Sequence, residues 1–262
     1  MSSSEYQLEV SHLGMSFGGL KAVSDFSMGI RQGEIVGLIG PNGAGKTTVF
    51  NCISRFYNPN EGQIMFEGRE LTKQPPNRVI NYGIARTFQN VELFKNLTVM
   101  DNLLIGQHHV INENFFVDML ALPQKWKAEQ AAKKRANEVL SFLGLAKVSE
   151  AIVQFLPFGV QKMIELARAL VSKPKLLLLD EPAAGSNPHE TYKLAALIKQ
   201  IRDEFGVSIM LVEHDMSLVM DICQRLYVLD FGKKIAEGLP IEIQNNPAVI
   251  EAYLGEKEIV ED

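Results

Sequence analysis

The segment that most restricts the fold is the glycine-rich run GPNGAGKTT at residues 40–48. It fits the pattern G-x-x-x-x-G-K-[S/T], with Gly40, Gly45, Lys46 and Thr47 at the fixed positions. EIVGLI before it has the composition of a buried strand, and KTTVFNCISRF after it can form a helix. Glycines let the backbone wrap closely around a phosphate, and the helix N-terminus adds a positive dipole end. The segment therefore predicts a strand, a phosphate-binding loop and a helix within an α/β fold.

This loop predicts a site for a nucleoside triphosphate and Mg²⁺. Its backbone N–H groups form a nest for phosphate oxygens, Lys46 neutralises phosphate charge, and the Thr47 hydroxyl can ligate the metal. The alternative is a glycine turn that only joins a strand to a helix. We expect the whole loop to contact the nucleotide: Gly40, Pro41, Asn42, Gly43, Ala44, Gly45, Lys46, Thr47 and Thr48.

A second run, LLLLDEP at 176–182, leads from leucines directly into adjacent acids. Such an apolar run suits a strand buried on both faces of a parallel sheet, and ligands of such sheets bind at the carboxyl ends of strands. Taken alone, a buried strand followed by a polar turn explains the run equally well. Beside a phosphate loop, a carboxylate on a neighbouring strand end can hold the metal. We therefore expect Asp180 to ligate Mg²⁺ and Glu181 to polarise the attacking water.

The composition is that of a globular chain with room for a large core, at 262 residues, 46% hydrophobic and 22% charged. The net charge of -5 argues against a primary nucleic-acid binder. Cys52 and Cys223 stand isolated in apolar sequence, so we expect a reduced, cytosolic compartment and no disulfide framework. The opening MSSSEYQLEV lacks the features of a secretion signal, and no apolar run approaches the ~18 residues of a membrane helix. If this protein acts at a membrane, other chains must span the bilayer.

The order of predicted elements indicates an α/β core interrupted by helices. Short apolar segments between turn residues predict strands in LEVSHLGMSF, FSMGI and QIMFEG. The pattern is helical from Leu97 to Leu143, and strands alternate with helices from Lys175 onward, which predicts a parallel sheet. We expect the nucleotide-binding core at 1–90 and 161–262, and a helical subdomain at 91–160.

Apolar residues recur at helical spacing in two stretches. The first, AEQAAKKRANEVLSFLG, stops at Gly144, and the second stops at Gly206. The basic run KKR at 133–135 is expected to form a solvated face of the first helix. The apolar faces comprise Ala136, Val139, Leu140 and Leu143 in the first helix and Leu194, Leu197, Ile198, Ile201 and Phe205 in the second.

Further segments, in chain order, resemble the motifs of the ABC-transporter ATPases. They are ARTFQN at 85–90, LPFGVQKMIELARAL at 156–170, DEPAAGSNP at 180–188 and LVEHD at 211–215. Each segment alone has a purely structural explanation, such as a polar turn or a loop entering a helix. The resemblance implies a P-loop ATPase of α/β class, with a mainly parallel sheet, an N-terminal antiparallel β subdomain and an inserted helical subdomain.

The resemblance also implies roles for single residues. Gln89 resembles the Q-loop glutamine near the metal and the transmembrane partner, and His214 resembles the switch histidine that touches the γ-phosphate. Phe17 stands where the family places an aromatic ring against adenine, and a core phenylalanine is the alternative. Pro157 and Gly159, in the signature segment, would contact nucleotide across a dimer of ATPases. The implied catalytic residues are Lys46, Gln89, Glu181 and His214, and the implied metal ligands are Thr47, Gln89 and Asp180.

Longer stretches, including GIARTFQNVELFKNLTVMDNLLIG and EHDMSLVMDICQRLYVLDFGKKIAEG, resemble the LivG-type subunit of branched-chain amino acid importers. This implies a peripheral ATPase on the cytoplasmic face of the membrane that uses ATP and Mg²⁺. The implied partners are a second homologous ATPase, two membrane permeases and an extracytoplasmic substrate-binding protein, with no nucleic acid. His108 and His109, in the helical insertion, are expected on the surface. Open alternatives are an importer of other amino acids, amides or urea, a soluble non-transport ABC ATPase, and a P-loop kinase.

The signature and the segment after the acids depart from the family pattern. Pro157 replaces the usual serine and offers neither a hydroxyl nor an N–H, and Val160 replaces a glutamine or an acid. Ser186 replaces a usual leucine, and Asn187 stands where the wider family has aspartate. We expect the N–H groups of Gly159 and Val160, with the dipole of the following helix, to make up part of the loss.

Overall fold

The computed structural model describes residues 5–87, 92–107 and 123–259. The chain forms two compact units, of which the first comprises Met1–Ile84 and Lys175–Asp262 and the second Ala85–Pro174. The second unit starts before the expected position 91 and extends past 160 to Pro174. The signature segment and the helix after it therefore lie together in the second unit.

The first unit begins with an antiparallel sheet, which the resemblance to ABC-transporter ATPases implies and whose strands the opening segments predict. In β1, the buried side chains of Leu8 and Val10 pair across the ladder with Ile30 and Met28. The strand order is β2-β1-β4-β5. The strands are β1 (Leu8–Phe17), β2 (Leu20–Ile30), β4 (Glu61–Phe66) and β5 (Arg69–Glu70).

A six-stranded, mainly parallel sheet forms the centre of the first unit, in the order β10-β9-β3-β8-β7-β6. Strand β3 pairs in parallel with β8 and β9, β7 pairs in parallel with β8, and only β10 is antiparallel to β9 among the described ladders. The chain passes into the second unit within β6. The strands are β3 (Ile35–Ile39), β6 (Ile84–Arg86), β7 (Leu176–Asp180), β8 (Ser208–Val212), β9 (Arg225–Asp230) and β10 (Lys233–Gly238).

The register of this sheet brings the predicted site residues to one edge. Val212 of β8 is level with Leu38 of β3 and with Asp180 of β7. Every residue of β3, β7 and β8 is buried, which explains their continuous apolar sequences. The phosphate loop, the paired acids and the histidine thus follow the carboxyl ends of three adjacent strands.

Helices complete the first unit, and the longest confirms its predicted C-terminus. It ends at Phe205, and Gly206 takes the left-handed conformation with φ 61°. Its inward face contains the buried Ala195, Ile198 and Ile201. The helices are α1 (Lys46–Ile53), α5 (Pro188–Phe205), α6 (Met216–Ile222), α7 (Pro240–Gln244) and α8 (Pro247–Ile259).

The second unit is helical in its described part. Ala136, Val139 and Leu140 are fully buried on one face, as predicted. The predicted solvated face is wrong at Arg135, which is half-buried and donates from Nη2 to Leu170 O at 3.3 Å, and burial lowers the pKa of Arg135. The helices are α2 (Val99–Ile105), α3 (Pro123–Phe142) and α4 (Phe158–Val171).

Within the described ranges, no helix combines the length and the apolar character that crossing a bilayer requires.

Candidate functional site

The phosphate loop joins β3 to α1, and its backbone requires glycine. Gly40, Gly43 and Gly45 have φ of 148°, 74° and 102°. A Cβ at Gly40 would lie 1.9 Å from Leu229 O, and one at Gly45 would lie 2.5 Å from Ala22 O. Both positions therefore exclude any side chain. The sequence pattern correctly identifies a tightly wrapped loop before a helix.

Lys46 begins α1 and is only 5% exposed. Its Nζ donates to Gly40 O and to Pro41 O, each at 2.7 Å. The ammonium group is thus held against the loop at the N-terminus of the helix. An anion in this loop would meet the charge of Lys46, the helix dipole and the backbone N–H groups.

Asp180 and Glu181 stand at the end of β7 in different environments. Asp180 is the last strand residue and is buried, whereas Glu181 leaves the strand with φ 46°. A non-glycine residue in this region carries strain of about 1–3 kcal/mol, which surrounding contacts must offset. One such contact is the bond from Glu181 N–H to Val212 O, at 2.9 Å.

His214 lies beside Glu181, as the parallel neighbours β7 and β8 dictate. The distance between His214 Nε2 and Glu181 Oε1 is 3.2 Å. The Glu181 side chain is 21% exposed and that of His214 is 41% exposed, so both reach the surface of the first unit. A carboxylate and an imidazole in contact can hold a water molecule and stabilise charge on a phosphate.

Glu213 is a residue of this region that sequence reasoning missed. It is buried and accepts hydrogen bonds from the backbone N–H groups of Ala183, His214 and Asp215. The signal was present in LVEHD, because an acid there directly follows a buried strand just as Asp180 ends one. The resemblance drew attention only to the histidine.

Asp215, next in the chain, caps helix α6. Its Oδ1 accepts from the backbone N–H groups of Ser217 and Leu218 at 2.9 and 3.3 Å, and also from the Ser217 hydroxyl. Thr191 Oγ1 donates to the other carboxylate oxygen at 3.3 Å. These bonds, led by that of the Ser217 hydroxyl, lower the pKa of Asp215. The cap fixes the backbone immediately after His214.

Phe17 ends β1, and its side chain is partly exposed at 41%. The ring packs edge-on against Tyr57, with centroids 5.2 Å apart and an interplanar angle of 72°. Phe17 is absent from the buried core, so an aromatic face is accessible at the surface. Stacking on adenine stays a prediction.

The signature segment starts helix α4 in the second unit. Pro157 is the N-cap residue, and its carbonyl accepts from Val160 N–H at 2.9 Å and from Gln161 N–H at 3.0 Å. The expectation that Val160 N–H serves a ligand therefore needs revision, because that donor already has an acceptor. Gly159 lies in the first turn, where helical N–H groups have no intrahelical acceptor, and the space beside its Cα is open.

The oxygen donors near the loop fit Mg²⁺ by their chemistry. Thr47 is exposed at the start of α1, and Asp180 supplies a carboxylate at the end of β7. The expectation that this strand neighbours the one before the phosphate loop is wrong, because β8 lies between β3 and β7. Hydroxyl and carboxylate oxygens are ligands that Mg²⁺ accepts, usually together with water and substrate phosphates. The described ranges hold no cluster of three or more His, Cys, Asp or Glu suited to a metal. Gln89, His108 and His109 lie outside the described residues.

Comparisons with known proteins assign the class. Residues 23–184 match the family described as ABC transporter, and residues 233–259 match the one described as branched-chain amino acid ATP-binding cassette transporter. The chain therefore belongs to the ATP-binding proteins of ABC transporters and is an ATPase of that family.

Within this family the chain is similar to proteins named LivG and BraF. It is 47% identical to the high-affinity branched-chain amino acid transport ATP-binding protein LivG of Salmonella typhimurium, over 95% of this chain and 98% of that protein. It is 44% identical to BraF of Pseudomonas aeruginosa, which has the corresponding description, over the same shares. The predicted resemblance to LivG-type subunits is confirmed.

Solved structures confirm the predicted fold class. A nucleotide-free ATP-binding cassette from an ABC transporter superposes with a TM-score of 0.80 at 31% identity, covering 94% of this chain and 98% of that one. The ADP conformation of an ATP-binding cassette also gives 0.80, at 30% identity and with 95% and 98% covered. The α/β fold with an antiparallel sheet, a mainly parallel sheet and added helices is that of these cassettes.

Proposed function

We propose that this chain is the ATP-hydrolysing subunit of an importer of branched-chain amino acids. The observation that supports hydrolysis is the contact of Glu181 with His214, at the strand ends beside the phosphate loop. The similarity to LivG and BraF, whose names state branched-chain amino acid transport, supports the substrate class.

The proposed roles follow from the chemistry of each group. Lys46 and the loop N–H groups bind the phosphates. Glu181 holds the attacking water by accepting a hydrogen bond from it. His214 stabilises charge on the γ-phosphate and keeps Glu181 oriented. Phe17 stacks on the base, with a stabilisation of ~1–3 kcal/mol if it resembles other base–aromatic stacks. Thr47, Asp180 and Gln89 would hold Mg²⁺, which would neutralise phosphate charge.

The proposed assembly pairs this chain with a second, similar ATPase. Pro157 and Gly159 in the signature would contact the nucleotide bound by that partner. ATP binding draws the two ATPases together, and the second unit, Ala85–Pro174, passes the movement to two membrane permeases. An extracytoplasmic protein delivers the substrate, and this chain sits on the cytoplasmic face of the membrane.

Reconstitution tests this proposal. The chain is co-purified with its membrane partners and placed in proteoliposomes with MgATP on the ATPase side, and uptake of radiolabelled leucine is followed. We expect uptake that needs both ATP and the substrate-binding protein, and that excess valine or isoleucine suppresses. The matched control is the same complex carrying Glu181→Gln.

Other outcomes would decide against the proposal. Suppression by urea, an amide or a polar amino acid, but not by valine, would contradict the substrate class. Recovery of the chain with ribosomes or DNA, and not with permeases, would contradict the importer itself.

A further inference from the structure

The Glu213 side chain is a buried carboxylate with backbone partners on both oxygens. Glu213 is 3% exposed and stands directly after β8. Its Oε1 accepts from Ala183 N–H at 2.6 Å, and its Oε2 accepts from His214 N–H at 2.9 Å and from Asp215 N–H at 3.2 Å. Charge-assisted bonds to backbone N–H groups are among the stronger hydrogen bonds in proteins.

The donors belong to the two segments that carry the paired site residues. Ala183 is two residues after Glu181, in a turn closed by Ala184 N–H to Glu181 O at 3.1 Å and Ser186 N–H to Ala183 O at 2.9 Å. The other donors include His214 itself. One carboxylate therefore ties the turn after Glu181 to the backbone of His214.

The strand ladder alone does not fix this spacing. The last described ladder contact between the segments is the bond from Glu181 N–H to Val212 O. Beyond it both chains leave the sheet, and Glu181 does so with the strained φ of 46°. The bridge through Glu213 starts where the ladder ends, so it restrains the part of the backbone that aims the Glu181 and His214 side chains.

The arrangement requires a carboxylate at this position. All three partners are N–H donors, so both side-chain oxygens must accept. A glutamine has the same shape, but one of its ends is an NH₂ group, which would face a backbone N–H in a buried site. An unpaired buried donor is costly, so the two segments would move apart on one side.

We infer that Glu213 is a positioning residue for ATP hydrolysis, which sets His214 at its working distance from Glu181. This inference rests on the proposed roles of Glu181 and His214. Small displacements of catalytic groups reduce rates strongly, by about a hundredfold for ~1 Å. Nucleotide binding depends on the phosphate loop, which Glu213 does not contact among the described interactions.

The first experiment separates binding from turnover in the Glu213→Gln variant. Single-turnover hydrolysis of radiolabelled ATP by the full-length chain quantifies even slow reactions. We expect the rate constant to fall by about tenfold to a hundredfold, with nucleotide affinity within about twofold of the wild type. If Glu213→Gln does not fold, Glu213→Asp takes its place, because it keeps both acceptors but cannot span both sides.

Glu34→Gln is the matched control for lost stability. Glu34 is also buried, at 8% exposure, and accepts from Arg31 N–H at 2.7 Å and from Arg225 Nε at 3.0 Å. It precedes the amino end of β3, at the opposite end of the strand from the phosphate loop. Glu34→Gln should lower thermal stability and leave the hydrolysis rate constant unchanged. An equal rate loss in both variants would overturn the inference.

A double-mutant cycle tests whether Glu213 acts through the histidine. In a His214→Ala background, Glu213→Gln should cost clearly less activity than in the wild type, because one of the two groups whose spacing it sets is gone. The same fold-loss in both backgrounds would overturn the inference, as would wild-type turnover of Glu213→Gln. If instead Glu181→Gln and His214→Ala themselves keep full activity, the proposed site fails, and that result is distinct from a failure at Glu213 alone.

Discussion

At the scale of single residues, the backbone of Glu181 is the feature that most needs an explanation. A left-handed conformation at φ 46° is unfavourable for a glutamate, yet it directs the carboxylate to 3.2 Å from His214 Nε2. Two hydrogen bonds stabilise this strained conformation: Glu181 N–H donates to Val212 O of β8, and Ala183 N–H donates to the buried Glu213 carboxylate. A strained backbone conformation that surrounding hydrogen bonds maintain is typical of a functional residue.

Glu181→Gln should block hydrolysis without blocking binding. The amide keeps the shape and leaves Asp180 in place, but it removes the charge that polarises water. We expect turnover to fall by orders of magnitude, while MgATP still binds and, with the partner ATPase present, holds a closed dimer that gel filtration can detect. Asp180→Asn should reduce activity at least as much, since it weakens the metal site. Better activity in Asp180→Asn than in Glu181→Gln would show that the two roles are wrongly divided.

Lys46→Ala should weaken MgATP binding severely while the chain stays folded. The substitution removes the buried ammonium group, together with its bonds to Gly40 O and Pro41 O. Equilibrium titration with a fluorescent ATP analogue gives the affinity, and circular dichroism checks the fold. Lys73→Ala, at an exposed lysine paired with Glu70, is the charge-matched control. Near-normal affinity in Lys46→Ala would rule out the phosphate role.

At the scale of elements, the start of helix α5 shows why asparagine serves where the family has aspartate. Asn187 Oδ1 accepts from His189 N–H at 3.1 Å and from Glu190 N–H at 3.0 Å. Asn187 N–H in turn donates to Glu190 Oε2 at 3.0 Å, which completes a capping box. The departure noted in the sequence is therefore conservative for the helix.

Asn187→Ala should lower the free energy of unfolding by about 0.5–2 kcal/mol, the usual effect of losing an N-cap. Asn187→Asp keeps the acceptor and adds a charge that favours the helix N-terminus, so it should match or exceed the wild type. Urea unfolding monitored by circular dichroism compares the three proteins. Equal stability of the alanine variant would show that the cap contributes nothing measurable.

The cap of helix α6 predicts a dependence of stability on pH. Hydrogen bonds hold the pKa of Asp215 below its ordinary value, so the folded state prefers the carboxylate. That stabilisation is complete above the pKa of the unfolded chain, and it is lost as pH falls through the lower pKa of the folded state. The difference in unfolding free energy between wild type and Asp215→Ala should therefore stay nearly constant from pH 7 to about 5 and shrink as pH falls through about 4 and below. A constant difference would contradict this assignment.

At the scale of the whole molecule, the predictable features were those that a short stretch of sequence determines. The glycine pattern at 40–48 is typical of a tightly wrapped loop, and the four leucines at 176–179 favour a strand buried on both faces. The apolar periodicity of the helices before Gly144 and Gly206 located the fully buried part of their faces, while Leu143, Leu194, Leu197 and Phe205 are only partly buried. The parallel sheet followed from the order of elements, whereas the antiparallel sheet was implied only by the resemblance to ABC-transporter ATPases.

The features that sequence did not provide depend on contacts between distant segments. Glu213 gains its role from Ala183, which is 30 positions away. Arg135 is half-buried because its guanidinium group donates to Leu170 O, 35 positions away in the sequence. Val160 is a local exception: its N–H bonds to Pro157 O, three positions earlier, because the helix starts at Phe158. Local sequence patterns predict helices and strands, whereas the hydrogen-bond partners of most polar side chains are known only once the chain is folded.

The signature segment of the second unit predicts unequal ATP sites in the assembled transporter. In the proposed heterodimer this chain's signature would complete the partner's site, and the partner's signature would complete the site at Lys46. Pro157 has no donor, and Val160 N–H already bonds to Pro157 O, so Gly159 N–H and the α4 dipole remain for the phosphate. A missing bond to a charged group costs ~1.5–3 kcal/mol, or roughly tenfold to a hundredfold in affinity.

The site at Lys46 should therefore carry most of the turnover. Glu181→Gln in this chain should abolish most hydrolysis in the complex, whereas the equivalent glutamine in the partner should remove much less. The chain alone should dimerise poorly and hydrolyse ATP slowly, because a homodimer places this signature on both sites. Pro157→Ser restores a hydroxyl and an N–H, so it should strengthen ATP-dependent self-association. Equal losses from the two glutamine variants, or brisk hydrolysis by the chain alone, would contradict the asymmetry.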